Sequence, residues 1–267
     1  MGEEVMKRPT RFLVFRLYGA MASWGEAAPG DVRPTELRPT RSALLGLLAA
    51  ALGIDRRDEE AHRALASELT FGLRVESAGV PIVDFHTAQL RKPSKRWRPR
   101  TRAEQLDQAR DKLMTVPSRR DYRCDALVDV AVASEVESPR YSLEALCTAL
   151  ERPAFTLYLG RKACPPALPL APRVLDAETL REAFEGYRSE GTPGEDTLGL
   201  ARHLGATTPG AAGLFWETAG DIDPGARPEQ RFERCDDPLS RKRRTFRARW
   251  ESYAPWPSGD EEDRRAP

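Results

Sequence analysis

The sequence predicts an α+β protein on the ferredoxin-like βαββαβ plan, interrupted by a basic arm and followed by a looser, β-containing C-terminal extension. Three observations predict it. Between Phe12 and Leu159, segments with strand character alternate with segments of helical periodicity. Between Arg91 and Arg123 the periodicity is lost, and the chain carries twelve Lys or Arg, four acids and three prolines, so this stretch cannot be core. Beyond Asp176 the signal weakens, and Gly, Thr and Pro dominate from Ser189 to Gly213. The expected organisation is a body over 11–175 with an insertion at 87–120, an extension over 176–254, and an acidic tail at 255–267 with the composition of a disordered segment.

Bulk properties narrow the class. A chain of 267 residues makes one domain with embellishments and is long enough to bury a sizeable core. The formal net charge is +1, so the protein has no global basic signature and its cations matter through their placement. The most apolar helix, Ala43–Leu52, is too short to span a membrane. The leading MGEEVMKRPTR has no apolar signal region. Cys124, Cys147, Cys164 and Cys235 stand far apart without CxxC or Cys/His spacing, which supports neither a zinc site nor a disulfide framework. Phosphate-binding GxxxxGK[ST], HExxH and paired-carboxylate metal motifs do not occur. The expectation is a soluble, reduced, cytoplasmic protein with no membrane contact, metal or cofactor.

The elements follow in order. Phe12–Tyr18 is an apolar strand broken by one charge, Arg16. A long loop follows, with Met21 and Trp24 between Gly19 and Gly25, then prolines with Arg33 and Arg38. Thr40 is a good N-cap for a helix that is Ala and Leu from Ala43 to Leu52 except at Gly46, and Gly53 suits its stop. Such an apolar helix must be buried. The length of the loop suits a function, and the free N–H groups at the helix start, beside Arg38 and Arg41, suit a phosphate. The plainer alternative is a buried helix behind a floppy loop. Asp58–Leu69 is a second helix with acids in its first turn; its His62 reads as a surface residue rather than a ligand. Thr70–Ser77 and Val80–Phe85 read as a hairpin turning at Gly79.

The arm comes next, with Trp97 and Tyr122 among its cations. Cations interleaved with aromatics track a nucleic-acid backbone and stack bases; the bland alternative is a solvated insertion. Cys124–Ser134 is an alternating strand. Pro139–Leu150 is a helix with Ser142 as a cap and Leu143, Leu146 and Leu150 on one face. Phe155–Leu159 closes the plan as a strand, followed at once by Arg161 and Lys162. Asp176–Tyr187 reads as a helix and Leu214–Thr218 as a short strand. A second basic run, Arg241–Arg249, has Phe246 and Trp250 beside it.

Four stretches, in this order and spacing, carry a resemblance. They are LYGAMASWG (17–25), RPTRSALLGLLAAALGI (38–54), DFHTAQ (84–89) with SRRDYRCDALVDVAV (118–132), and LYLGRKACPPALPL (157–170). Together they resemble the CasD subunits of type I-E CRISPR Cascade complexes, a RAMP-type CRISPR-associated family. The resemblance covers roughly residues 11–175 and the rest loosely. It implies a ferredoxin-like (RRM/RAMP-type) palm with a protruding basic thumb. It also implies that the chain caps one end of the Cascade backbone, binds the 5′ handle of the CRISPR RNA, contacts the adjacent backbone subunit and seats the large subunit, meeting target DNA through the complex.

Combined with the residue-level reading, this sets the expected RNA contacts. Arg38, Arg41 and Ser42 hold a handle phosphate at the helix start. Met21 and Trp24 offer surfaces to a splayed base, with core or subunit-interface packing as the alternative for Trp24. Arg91, Lys92, Lys95, Arg96, Arg119 and Arg120 track phosphates beside Tyr122, and Arg161 with Lys162 closes the path. His86 is a structural or RNA-contacting residue. The alternative is the metal-independent cleavage of precursor RNA by the type I-C relative, which would use His86 as base with Tyr122, Lys92 and Lys95 nearby. The type I-E pattern implies a separate processing nuclease, so no residue is assigned to catalysis. A third reading is a scaffold whose arm binds a protein.

Overall fold

The structure is a computed structural model and describes residues 10–25, 31–91, 100–107, 113–189 and 213–256. In chain order the first elements are β1 (Thr10–Gly19), β2 (Val32–Arg33), α1 (Arg41–Ala51), α2 (Glu59–Glu68), β3 (Leu69–Ser77) and β4 (Val80–Arg91). Then come α3 (Arg102–Leu106), β5 (Leu113–Cys124), β6 (Ala126–Ser134), α4 (Leu143–Glu151) and β7 (Arg173–Ala177). The last are α5 (Leu180–Ser189), β8 (Gly213–Glu217), β9 (Gln230–Ser240) and β10 (Thr245–Pro255).

β1 is apolar from Phe12 to Phe15 because both of its faces are covered there. Phe12 and Val14 point into one core layer, and Leu13, Phe15 and Leu17 into the other. β1 pairs with β6 and β7, β6 with β3, β3 with β8, β8 with β10 and β10 with β9, every pairing antiparallel. The resulting sheet has the order β7-β1-β6-β3-β8-β10-β9. One face packs on α1 and α4 through Leu44, Leu45, Leu48, Leu146 and Leu150. The other packs on α5 through Leu180, Phe184 and Tyr187. Each such side chain contributes about 1.5–3 kcal/mol by leaving water. Side-chain caps start the helices: Thr40 accepts from Ala43 N–H, Asp58 from Ala61 N–H and Ser142 from Ala145 N–H.

Arg16 is the charge inside β1, and it is balanced. It faces Asp129 across the β1–β6 pair, Nε to Oδ1 2.9 Å. Arg188 on α5 reaches the other oxygen of Asp129 at 2.8 Å and also pairs with Glu76. Two guanidiniums and two carboxylates thus share one buried site, the condition under which buried charge is tolerated.

The arm leaves the sheet at Gly79, whose φ of +70° and close approach to Cys124 O (a Cβ would lie at 2.4 Å) admit only glycine. β4 and β5 pair antiparallel from Val80↔Cys124 to Arg91↔Leu113. β2 adds to β5 in parallel, Val32↔Arg119 and Arg33↔Arg120.

Several expectations are corrected. Thr70–Ser77 and Val80–Phe85 are not a hairpin: β3 pairs with β6 and β8, while β4 pairs with β5. The arm therefore starts at Val80, before the insertion point expected at 87. Phe155–Leu159 is not a strand but a loop over α1, with Phe155 N–H donating to Ala50 O. The strand after α4 is β7, so Arg161 and Lys162 precede it. The last helix starts at Leu180 because Asp176 lies in β7. In the C-terminal region, where the sequence signal is weak, β8, β10 and β9 extend the main sheet. Pro255 ends β10 and Trp256 packs edge-on against Phe184 at 6.3 Å, so the tail expected at 255–267 keeps only residues 257–267, outside the described residues. Among the described residues no helix is long and apolar enough to cross a membrane.

Candidate nucleic-acid interface

A cleft of about 840 Å³ opens along the length of α1. One wall is the exposed face of that helix, where Ser42, Ala43, Gly46 and Ala50 recur at helical spacing and leave room by their small size. Facing it is the β9–β10 turn with Arg241, Arg244 and Phe246. The 155–161 loop contributes Phe155, Tyr158 and Arg161, and the loop before α1 contributes Ser23 and Arg33. Arg56 and His62 close one end. The charged residues lining the cleft are all cationic, which raises the local concentration of an anionic ligand.

Three staples hold the walls. Arg161 donates to Asp121 O (3.1 Å) and Arg33 O (2.9 Å) while its guanidinium lies 4.7 Å from the Tyr122 ring centroid. It therefore ties the arm, β2 and the 155–161 loop together. Gly160, with φ +86°, lies so close to Ser23 O that a Cβ would stand 1.8 Å from it. Ser23 N–H donates to Leu159 O (3.0 Å) in the same contact. On the far wall, Lys242 N–H donates to Glu59 Oε1 (2.8 Å), fixing the β9–β10 turn on α2 and holding the Glu59 carboxyl below its usual pKa.

Beneath the cleft, α1 is clamped to β8, β9 and β10 by buried charge. Arg38 Nε donates to Glu251 Oε2 (2.7 Å), with its guanidinium 4.1 Å from the Phe215 ring centroid. Arg41 pairs with Glu217 and, at 3.1 Å, with Asp237, and its Nη2 donates to Leu69 O. Arg249 and Arg234 complete the cluster around Asp236 and Glu251. Burial raises the Glu217 carboxyl pKa against the pull of Arg41 and Arg249. Burial is the largest influence on Asp236, but the hydrogen bond and charge of Arg249, the charge of Arg234 and the Arg41 N–H together outweigh it, and its pKa falls. Burial lowers the pKa of Arg38, opposed by Glu251.

This clamp corrects the expected phosphate site. Arg38 and Arg41 are each 7% exposed and engaged by internal carboxylates. The Arg41 N–H itself donates to Asp236 Oδ2 (2.9 Å), so a carboxylate of the chain occupies the place expected for a phosphate. Trp24 is 2% exposed and belongs to the core, not to a base-stacking surface. Met21 is half-buried against the same core. Ser42 does reach the cleft. Tyr122 is buried beneath Arg161.

On the arm, Arg119 is exposed and pairs with Asp121 (3.2 Å), Arg120 and Arg91 are half-buried, and Lys162 is exposed beyond Arg161. Lys92, Lys95 and Arg96, with Trp97, lie outside the described residues. His86 is exposed on β4 and its Nε2 meets Asp84 Oδ2 at 2.7 Å. The structure does not bring His86 to Tyr122: their register partners are Ser118 and Ile82. Four residues along a strand separate them by about 13 Å. Among the described residues no group of three or more His, Cys, Asp or Glu is placed to hold a metal ion.

Sequence reasoning missed Arg56, Phe155 and Tyr158 and set His62 aside. It flagged the basic run at 241–249 but not its destination. The signal lies in Arg241 and Arg244 beside Phe246, the same cation–aromatic pairing noted in the arm.

Comparisons with known proteins agree on one family. The model for the family described as CRISPR-associated protein (Cas_Cas5) matches residues 12–252. The CRISPR system Cascade subunit CasD of Escherichia coli (strain K12) is 31% identical over 188 residues, 67% of this chain and 78% of that protein. A chain of a solved CRISPR RNA-guided surveillance complex superposes with a TM-score of 0.58 at 28% identity, covering 94% of this chain and 96% of its own. A crystal structure of a Cas protein gives a TM-score of 0.53 at 29% identity, covering 91% and 93%.

Proposed function

The chain belongs to the CRISPR-associated Cas5 family, and on that footing we propose that it is a non-catalytic, CasD-type subunit of a type I-E Cascade surveillance complex. It binds the 5′ handle of the CRISPR RNA and caps one end of the backbone. It contacts the neighbouring backbone subunit and the large subunit, and it meets target DNA only through the complex, where base pairing with the guide reads the sequence. The observation that carries this reading is the all-cationic cleft, which runs through Arg161 and Arg33 to the root of the arm. Single-stranded RNA is held by such a combination of phosphate-tracking cations and accessible aromatic faces.

Two further features support the finer parts. The strand order β7-β1-β6-β3, with α1 between β1 and β3 and α4 between β6 and β7, has the connectivity of a ferredoxin-like palm, from which the arm projects as a thumb. The root of that arm exposes Val80 and Ile82 on one face of β4 and Val83 and Phe85 on the other, the last at 76%, apolar surface suited to a neighbouring subunit.

The test uses the assembled complex and a labelled repeat-derived handle RNA in EDTA. With about five phosphates neutralised, log K falls against log salt with a slope of about −3.5. Arg119→Ala with Arg120→Ala weakens handle binding and flattens that slope, while the RNA stays uncut by the wild type and by His86→Ala. Unchanged RNA affinity in an intact complex refutes the handle-binding role. Metal-independent cleavage lost in His86→Ala refutes the non-catalytic one.

A further inference from the structure

One end of the cleft holds a guanidinium with no ion pair among the described residues. Arg241 Nε and Nη2 are buried and have no hydrogen-bond partner among the described residues. Arg38, Arg41, Arg234 and Arg249 all have carboxylates within ion-pair distance; among the described residues Arg241 has none. Burial and then the nearby Arg56 disfavour its charge, and Glu59 and Tyr158 offset only part of that. His62 on α2 lines the same end, and its Nε2 is buried without a partner as well. Burial and the Arg241 charge hold this imidazole below its usual pKa.

The fold keeps Arg241 in place despite this cost. The Lys242–Glu59 hydrogen bond pins the turn next to it. Gly46 on α1 makes the space: a Cβ there would stand 3.5 Å from Arg241 Nη2, and any longer side chain would fill the guanidinium's place. Phe155 and Tyr158 flank the opening, 51% and 38% exposed, and Phe246 lines the opposite wall. A small inorganic anion has no use for accessible rings, whereas a nucleotide presents both a charge and a flat face.

We propose that this end of the cleft is a nucleotide subsite, in which a phosphodiester of single-stranded RNA sits on Arg241, backed by Arg56, and its base stacks on Phe155 or Tyr158. The proposal rests on the RNA-binding reading above and names the residues that do the holding. It gives this guanidinium, which has no ion pair among the described residues, a charge-assisted partner.

The experiment pairs RNA binding with thermal stability on the full chain, using Arg241→Gln and Phe155→Leu. The probe is a fluorescently labelled repeat-derived RNA in a salt series. Arg241→Gln weakens binding by about ten- to a hundredfold, the scale of a charge-assisted hydrogen bond, and flattens the salt slope by about 0.7. The same variant, free of RNA, melts at or above the wild-type temperature, because it removes a buried, uncompensated charge. Phe155→Leu weakens binding without changing the slope. Wild-type affinity and slope in Arg241→Gln overturn the subsite alone. Loss of stability together with affinity overturns it too, marking Arg241 as structural. A wild-type protein that fails to bind the RNA removes the RNA-binding reading, and the subsite with it.

Discussion

Glu251→Gln tests whether buried charge, rather than apolar packing alone, fixes the wall of the cleft. Glu251 Oε2 accepts from Arg38 Nε at 2.7 Å and from Arg234 Nη1 at 3.4 Å, and Oε1 from Arg249 Nη2 at 3.1 Å. Its side chain is 3% exposed, so water cannot take over these donors. Arg38, Arg41, Arg234 and Arg249 balance Glu217, Asp236, Asp237 and Glu251, and the substitution leaves one positive charge uncompensated in the interior. Breaking such a buried pair costs about 3–5 kcal/mol. A chain of 267 residues has an unfolding entropy of about 0.56 kcal/mol/K at about 2.1 cal/mol/K per residue, so the melting temperature falls by about 5–9 °C. Calorimetry on the wild type, Glu251→Gln, Arg38→Gln and the double variant measures it. The double variant is less destabilised than the sum of the two single ones. A drop below about 2 °C, or additivity within about 0.5 kcal/mol, refutes the account.

Two other outcomes follow from the geometry. Gly160→Ala costs more than about 3 kcal/mol and yields little folded protein on expression, because the new Cβ would stand 1.8 Å from Ser23 O at a φ of +86°; wild-type yield and melting temperature would contradict it. His62 has a folded pKa held below its usual value by burial and by Arg241, against the hydrogen bond to the Asp55 backbone and the charges of Asp58 and Glu59. In the unfolded chain it titrates near about 6.5, so just below that pH the unfolded state binds more protons and stability is lost as pH falls. His62→Gln flattens this part of the stability–pH curve in urea titrations of the RNA-free protein, and an unaltered curve would count against it.

Some features were legible in the sequence because they are local. The caps Thr40 and Ser142 each bond an N–H three residues ahead, and the Leu143, Leu146, Leu150 face follows from the helical repeat alone. The cationic arm declared itself by composition. Phe155–Leu159 misled because its apolar run serves a loop packed on α1, and a run of that length carries the same signal in either setting. The hairpin turning at Gly79 misled because a glycine turn fixes a change of direction but not the strand that is met afterwards.

Binding residues were the least legible. Arg38 and Arg41 stand beside a helix start and so read as phosphate ligands, while Arg241 sits in a basic run at the far end of the chain. Their surroundings are set by contacts that no window of sequence contains: Arg38 meets Glu251, 213 positions away, and Arg41 meets Asp237, 196 away. Sequence alone determined the helix caps and apolar helix faces, the family and the local concentrations of positive charge. Only the tertiary structure decided which arginines are neutralised inside the protein and which are left facing the cleft, because a charge is free or paired according to what the fold brings within about 4 Å of it.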